Sequence, residues 1–200
     1  DVSRTFGCDN AMKNYELLKQ FPSKNIIGIG LGGAESKGPA KDFAPVYDLA
    51  VKEGYVVVAH AGEDVGPESI WDALNYLHAQ RIGHGLTACQ DEELMKSLEK
   101  SKTPIEICIT SNTFTKKIVQ KAKDHPVKMY FDRGISVNIN TDDPVFFKTT
   151  LINEYWLCHH DLNFTMDEIK QLVKNSFLQA FMSDKEKKDY CQKVDQAWSL

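Results

Sequence analysis

Short apolar runs alternate along the chain with longer stretches in which apolar residues recur at helical spacing. The runs are rich in Ile and Val and nearly continuous in apolar character, which is typical of strands buried on both faces. We predict strands at residues 25–31, 55–61, 80–84, 105–110 and 135–141. Because single helical stretches separate these runs, the pattern predicts parallel βαβ units and an α/β fold.

The stretches between and after the strands predict helices. Their bounds are 42–52, 67–78, 91–101, 113–132, 144–159, 165–182 and 184–198. Thr165 is followed three residues later by Glu168, and this spacing is the pattern of a capping box at the start of a helix.

Chemically active side chains follow nearly every predicted strand. They are Glu35 after a Gly-Gly pair, His60, Glu63, His84, Ser111, Asn112, Asp142 and Asp143. In a TIM-type (β/α)8 barrel the carboxyl ends of all strands converge on one face, whereas an open sheet gathers such residues around one switch point. The distribution over many strand ends therefore favours the barrel.

The length accounts for only part of such a barrel. A complete barrel needs about 250 residues, and these 200 residues carry five predicted strands. We therefore expect three strands to precede Asp1. We interpret residues 1–200 as a single domain, the C-terminal part of a metal-dependent hydrolase barrel that supplies about five β/α units and the terminal helices.

Composition and charge limit the classes of partner that this chain is expected to bind. A net charge of −4 leaves no basic surface for nucleic acid, and the longest apolar runs are too short to span a membrane. The five cysteines are scattered and form no CxxC pair, namely Cys8, Cys89, Cys108, Cys158 and Cys191. An odd, scattered set argues against a disulfide framework or a structural zinc cluster and predicts a reducing, cytoplasmic location.

Two histidines and two adjacent acids carry the candidate chemistry. His60 and His84 end neighbouring predicted strands, where a rigid imidazole suits zinc. Taken alone, His60 is better interpreted as a core histidine. His84 taken alone is equally interpretable as part of a tight glycine turn. Asp142 and Asp143 follow an apolar strand, which is costly unless the carboxylates are paired or bind a metal. A solvated Asp-Asp-Pro helix cap is the alternative.

In order and spacing, these motifs resemble the adenosine deaminase family from near Ile26 to Met182. The matching segments are Leu31-Gly32-Gly33-Ala34-Glu35, His60-Ala61-Gly62-Glu63, Arg81-Ile82-Gly83-His84-Gly85, Thr110-Ser111-Asn112 and Asn140-Thr141-Asp142-Asp143-Pro144. The H-x-E…P-C-x-x-C signature of other zinc deaminases does not occur in the sequence. The resemblance implies zinc-dependent hydrolytic deamination of adenosine, at the purine C6 amino group, to inosine and ammonia.

The resemblance also implies roles for particular residues. His60 resembles a histidine ligand of the catalytic zinc, and Asp142 resembles its carboxylate ligand. Glu63 is similar to the proton donor to purine N1. His84 resembles the residue that positions the attacking water and helps take its proton, and Asp143 the acid that helps orient it.

Substrate contacts are implied in the same way. A purine nucleoside would meet Glu63 at N1, Asp143 at N7 and the backbone N–H of Gly33 at N3. The resemblance thus names a small-molecule substrate as the ligand of this chain, with no role for nucleic acid or a membrane.

The sequence departs from the family at one place. The family's first strand carries His-x-His, which supplies two further histidine ligands to one zinc ion per active site, and no His-x-His occurs in these 200 residues. Catalytic zinc sites usually have three protein ligands. We therefore expect the isolated chain to be incomplete and to need an N-terminal barrel segment of the same protein as its partner.

The substrate and the class of function leave alternatives open. Adenine and 6-amino-6-deoxyfutalosine deaminases belong to the same family; Gly83 favours the nucleoside, whereas residues 66–71 resemble the adenine and futalosine branches. Outside catalysis, the chain is interpretable as a purine-binding fragment that lacks part of the zinc site. A barrel amidohydrolase that acts on a non-purine amide is the third alternative.

Overall fold

A computed structural model describes residues 1–21 and 23–199 of the chain. The chain forms two compact units, the first over residues 1–97 and the second from Leu98 onward. Each unit consists of parallel strands whose connections are helices, so each follows the predicted βαβ pattern.

The first unit has four parallel strands among its described residues. They are β1 (Val2–Ser3), β2 (Gly28–Gly32), β3 (Val56–Ala61) and β4 (Arg81–His84). Each strand pairs with the next one along the chain, and His60 of β3 lies opposite Gly83 of β4. Since parallel neighbours need a crossover connection, helices α1 (Gly7–Gln20), α2 (Ala44–Lys52) and α3 (Glu68–Tyr76) occupy the intervals.

The core of the first unit lies between the strands and their helices. Leu31, Val57, Ala59 and Ile82 of the strands are almost fully buried, and α2 and α3 both pack against β3. Helix α3 begins directly after Pro67, whose fixed backbone angle suits the start of a helix. The short stretch from β3 to α3 is therefore held at both ends by buried elements.

The second unit contains β5 (Ile105–Ile107) and β6 (Val137–Ile139), which pair in parallel with Ile105 opposite Val137. Helix α4 (Glu92–Ser101) leads into it from the first unit. The further helices are α5 (Ile109–Thr115), α6 (Val127–Asp132), α7 (Pro144–Phe147), α8 (Leu151–His160), α9 (Met166–Leu178) and α10 (Asp184–Ala197). All three residues of β6 are buried, and α9 packs against that strand.

The five predicted strands are confirmed as β2 to β6; each is shorter than predicted, and β2 ends one residue later than predicted, at Gly32. The predicted strand at 105–110 ends at Ile107 because α5 begins at Ile109, so Ser111 and Asn112 lie in a helix. Strand β1 and helix α1 were not predicted from the sequence. A two-residue strand is too short to show alternation, and α1 buries only Ala11 and Tyr15 among its residues.

Two predicted helices are wrong as continuous elements. The helix at 113–132 ends early at Lys116, whose backbone is left-handed with φ 52°, and a separate helix starts after Pro126. The helix at 144–159 is divided at Lys148, which also has φ 52°. A left-handed residue cannot continue an α-helix, so Thr150 starts α8 anew with its side chain accepting from Asn153 N.

The predicted capping box at the start of α9 is confirmed. Thr165 Oγ1 accepts from Glu168 N at 3.2 Å, and the Glu168 carboxylate accepts from Thr165 N at 2.8 Å. Over residues 1–21 and 23–199, the structure contains no helix with the length and apolar character required to cross a lipid bilayer.

Replacing Thr165 by Ala should lower the free energy of unfolding by about 1 kcal/mol, because the N-terminal amides of α9 lose their side-chain acceptor. Urea unfolding followed by circular dichroism measures the change. Thr165→Ser keeps the hydroxyl and is the matched control, with stability near that of the original protein. An unchanged midpoint in Thr165→Ala would contradict the assigned cap.

Candidate active site

Strands β3 and β4 bring two histidines into contact. His60 lies near the end of β3 and His84 ends β4, one position further along the paired register. His84 Nε2 is 3.2 Å from His60 Nδ1. The rings meet edge to face, with centroids 4.7 Å apart and planes at 76°.

This contact depends on the glycine opposite His60. A Cβ atom at Gly83 would lie 2.9 Å from His60 Cδ2 and 3.3 Å from His60 Cα. Real side chains do not approach so closely, so the His60 ring occupies the space that any other residue at position 83 would need. The glycine that precedes His84 is therefore required by the position of the His60 ring.

Glu63 joins the two histidines from the turn that follows β3. Its Oε2 lies 3.4 Å from His84 Nε2, and the Glu63 side chain is 20% exposed while that of His84 is 3% exposed. A carboxyl group at the edge of solvent therefore faces a buried imidazole. Such a pair can exchange a proton with a substrate bound between or beside the two groups.

The donor set of the first unit fits a metal ion of the zinc type. The ligand atoms of His60, Glu63 and His84 all lie within 4.8 Å of one another, and imidazole nitrogen and carboxylate oxygen are zinc ligands. Two nitrogens on one tetrahedral zinc are separated by about 3.3 Å, close to the 3.2 Å between the rings. The same distance suits a hydrogen bond between them, so the geometry supports ligation and proton transfer alike.

Two buried charged residues contact the backbone of the same segment. The Glu35 carboxylate accepts hydrogen bonds from the amides of Gly62, Glu63, Asp64 and Val65. Arg4 donates to the carbonyl oxygens of Gly38 and His60, each at 2.6 Å. Burial lowers the pKa of the Arg4 guanidinium from its ordinary value, and the charge of Glu35 opposes that shift.

Gly33, the predicted backbone donor, lies in the turn after β2. Its φ is +86°, and a Cβ atom there would lie 2.7 Å from Ser3 Oγ and 3.3 Å from Arg4 N. Both the backbone angle and the space therefore require glycine at this position.

The adjacent acids lie in the second unit, just beyond β6. Asp142 accepts a 2.7 Å hydrogen bond from Ser111 Oγ. Asp143 is exposed and stands at the start of α7, but its side chain makes no capping hydrogen bond. The alternative interpretation of the pair as a helix cap therefore lacks the bond that would define it.

Two of the predicted site residues have unusual backbone conformations. His84 has φ 67° and Asp142 has φ 57°, both in the left-handed region of backbone conformation. Asp is among the residues that tolerate this region, whereas a bulkier residue held there costs about 1–3 kcal/mol. The surrounding structure therefore stabilises His84 in an orientation that local preference alone would not select.

Comparison with known proteins decides the family. The family model described as adenosine deaminase matches residues 3–197. The chain belongs to the adenosine deaminase family. The resemblance carried by the motifs is thereby confirmed, and the match extends beyond the motifs to residues 3–197.

Curated relatives of this deaminase-family chain differ in their named substrates. Aminodeoxyfutalosine deaminase of Streptomyces avermitilis is 39% identical over 98% of this chain and 55% of the relative. Adenine deaminase of Psychrobacter cryohalolentis is 37% identical over 92% and 55%, and adenosine deaminase of Salmonella typhimurium is 36% identical over 98% and 58%. The chain thus spans a little more than half the length of these relatives.

Solved structures of similar fold include the adenine deaminase from Arthrobacter aurescens. It matches 99% of this chain and 60% of its own with a TM-score of 0.95 and 30% identity. An amidohydrolase from Burkholderia ambifaria with bound Zn matches 99% and 55% with a TM-score of 0.92. Its 23% identity shows a shared fold alone. Together these matches confirm the predicted fold class, an α/β fold of the barrel type.

Sequence analysis missed the roles of two residues in this deaminase-family site. Glu35 stood among the strand-end groups without a function, although a carboxylate shortly after a Gly-Gly turn was the available signal. Arg4 offered no signal, because the carbonyls that it contacts belong to residues 34 and 56 positions away. Contacts of such separation appear only after the chain has folded.

Gly83→Ala should displace the His60 ring, because the added methyl group would meet its Cδ2 atom. Imidazole nitrogen NMR spectra of His60 and His84 report the change, and we expect both sets of signals to shift. Gly32→Ala is the matched control, since a Cβ atom there meets nothing within 4 Å. Unshifted imidazole signals in Gly83→Ala would contradict the described contact.

Proposed function

We propose that the protein containing this chain hydrolyses the C6 amino group of adenosine, with ammonia and inosine as products. The juxtaposition of His60, Glu63 and His84 carries the proposal. It provides a carboxyl group and a buried imidazole 3.4 Å apart, the two partners that addition of water to a purine ring requires. Membership of a deaminase family and its purine-deaminating relatives support the same reaction.

One zinc ion is part of this proposal. His60 and Asp142 are the residues of this chain that we propose to hold it, and two further histidines would come from a His-x-His strand in an N-terminal segment. When bound, zinc lowers the pKa of a water molecule to about 7 and so supplies hydroxide at neutral pH. His60 would supply an imidazole nitrogen and Asp142 a carboxylate oxygen, both of which are ligand types that zinc binds.

Glu63 acts as the general acid in the proposed reaction. Addition of water at C6 breaks the aromaticity of the ring and places negative charge on N1. The Glu63 carboxyl transfers its proton to N1 as the C–O bond forms, which stabilises that charge.

His84 acts as the base and then returns the proton. Its Nε2 takes a proton from the attacking water and donates it to the amino group, so that ammonia leaves as the C–N bond breaks. The proton of the new hydroxyl group restores the Glu63 acid and leaves a carbonyl at C6. His84 is buried and constrained at φ 67°, so little motion of the imidazole is needed between the two transfers.

Gly33 and Asp143 orient the purine in this proposal. The Gly33 N–H would bind N3, and Asp143 would share a hydrogen bond with N7. Both residues are exposed, so their polar groups are open to a ligand. Orientation by two fixed contacts lowers the entropy cost of bringing C6 to the reacting groups.

Deamination of adenine or 6-amino-6-deoxyfutalosine is the second candidate for the same residues. Relatives named for the three substrates are 39%, 37% and 36% identical to this chain, so overall identity does not separate them. Gly83 favours the nucleoside, because a glycine at this position resembles the nucleoside branch of the family. We therefore place adenosine first.

The protein with its N-terminal segment should release ammonia from adenosine with a higher kcat/KM than from adenine or aminodeoxyfutalosine. In Glu63→Gln, kcat should fall by about 10²–10⁴-fold, because an amide cannot donate the proton to N1, while KM changes little. An ammonia-release assay over the three substrates measures both constants.

Glu68→Gln is the matched control for this variant. Glu68 is exposed and its carboxylate accepts only from the nearby Gly66 N in the described contacts, so kcat should remain near that of the original protein. A Glu63→Gln enzyme with full turnover would refute the general-acid role. Zinc binding without ammonia from any purine would favour a binding fragment or an amidohydrolase with another substrate.

Substitutions of the two adjacent acids should differ in their effects on zinc binding. Asp142→Ala should lose bound zinc, because it removes a proposed ligand, whereas Asp143→Ala should keep zinc and lose turnover. Metal analysis of the purified variants together with kcat measures the difference. Equal zinc loss in both variants would contradict the division of roles.

A further inference from the structure

We propose that Glu35 is a positioning residue, which fixes the turn that carries Glu63. The catalytic consequence rests on the proposed function, whereas the geometry rests on the first unit alone. Glu35 touches neither the substrate nor the reacting atoms in this proposal. It acts through the backbone of the segment between β3 and α3.

The contacts converge on one carboxylate. Glu35 Oε1 accepts from Gly62 N at 2.5 Å and also from Ser69 Oγ. Glu35 Oε2 accepts from Glu63 N at 3.0 Å, Asp64 N at 2.7 Å and Val65 N at 3.3 Å. Four consecutive amides that point at one anion form a backbone nest, with Glu35 in the place that a bound anion occupies in other proteins.

The Glu35 carboxylate is buried, although packing alone would be satisfied by an apolar side chain at this position. Glu35 is 7% exposed, and an unpaired buried carboxylate is strongly unfavourable. Five donors compensate for the lost water here. Because hydrogen bonds to a charged acceptor are about twice as strong as those between neutral groups, the turn is held more rigidly than a neutral acceptor would hold it.

The same turn is anchored on its other side. Gly62 O accepts from Thr87 N at 3.1 Å and from Thr87 Oγ1 at 3.3 Å. A Cβ atom at Gly62 would lie 2.6 Å from Ile70 Cδ1, so the backbone packs directly against α3. Arg4 holds the backbone two residues earlier through the 2.6 Å bond to His60 O.

These restraints act on both ends of the segment from His60 to Glu63. The Glu63 carboxyl reaches His84 at 3.4 Å only while the backbone at position 63 keeps its place. A displacement of about 1 Å at a reacting group can cost a hundredfold in rate. Loss of the Glu35 charge should therefore reduce turnover more than binding, because the substrate contacts proposed for Gly33 and Asp143 stay in place.

The test compares Glu35→Gln with Glu35→Asp in the complete protein. In Glu35→Gln the amide nitrogen faces backbone N–H groups, and we expect kcat for adenosine to fall about tenfold or more with KM changed by less than about twofold. Hydrogen exchange at the amides of residues 62–65 should become about tenfold faster. Glu35→Asp retains the charge and should restore part of both properties.

Glu53→Gln is the matched control in the same unit. Glu53 also accepts from two side chains, Tyr15 OH at 2.7 Å and Lys19 Nζ at 2.6 Å, and it contacts none of the turn residues in the described structure. Stability should fall without loss of kcat. Equal loss of kcat in Glu53→Gln and Glu35→Gln would indicate a general structural effect and overturn the inference.

Ser69→Ala is the variant that tests the same contacts if Glu35→Gln fails to fold. It removes one donor to the Glu35 carboxylate, so exchange at residues 62–65 should still accelerate and kcat should fall about threefold. Unchanged exchange and unchanged kcat in every folded variant would overturn the inference.

Failure of the proposed function gives a different pattern. The original protein would then release no ammonia from adenosine, while exchange at residues 62–65 would still respond to Glu35→Gln. That result would remove the catalytic consequence and keep the positioning of the turn. Exchange that does not respond would overturn the positioning itself.

Discussion

The parallel pairing of β3 with β4 sets the geometry on which the candidate site depends. In this register His60 lies opposite Gly83, and His84 lies one position further toward the strand ends. Since neighbouring residues of a regular strand face opposite sides, this register alone would place the two imidazoles on opposite faces. The edge-to-face contact at 4.7 Å therefore also depends on the left-handed backbone of His84, with φ 67°, and on the missing side chain at Gly83.

Buried charge then makes this arrangement rigid. Arg4 and Glu35 are both almost fully buried; Arg4 donates to the carbonyl oxygen of His60 near the end of β3, and Glu35 accepts from backbone amides of the turn that follows β3. Ion burial is costly unless the hydrogen bonds are complete. Both buried charges lie near the candidate catalytic side chains. The positive φ of His84 is likewise a conformation that the surrounding structure must stabilise.

Relatives named for three different substrates are similarly identical to this chain, at 39%, 37% and 36%. In the proposed reaction Glu63 and His84 act on the amino-substituted purine ring, which the three named substrates have in common. Discrimination among these substrates would then rest on contacts with the rest of the substrate molecule. The glycine opposite His60 is one position in this chain where an added side chain would alter that environment.

Local patterns in the sequence determined the strands β2 to β6, the capping box at Thr165 and the candidate residues His60, Glu63 and His84. Alternation and end signals act over a few residues, so they can be found without a fold. The tertiary structure alone decided the two-residue β1, the divisions at Lys116 and Lys148, and the bonds of Arg4 and Glu35 to a turn far along the chain. Those features depend on groups that only folding brings together, and no local preference encodes them.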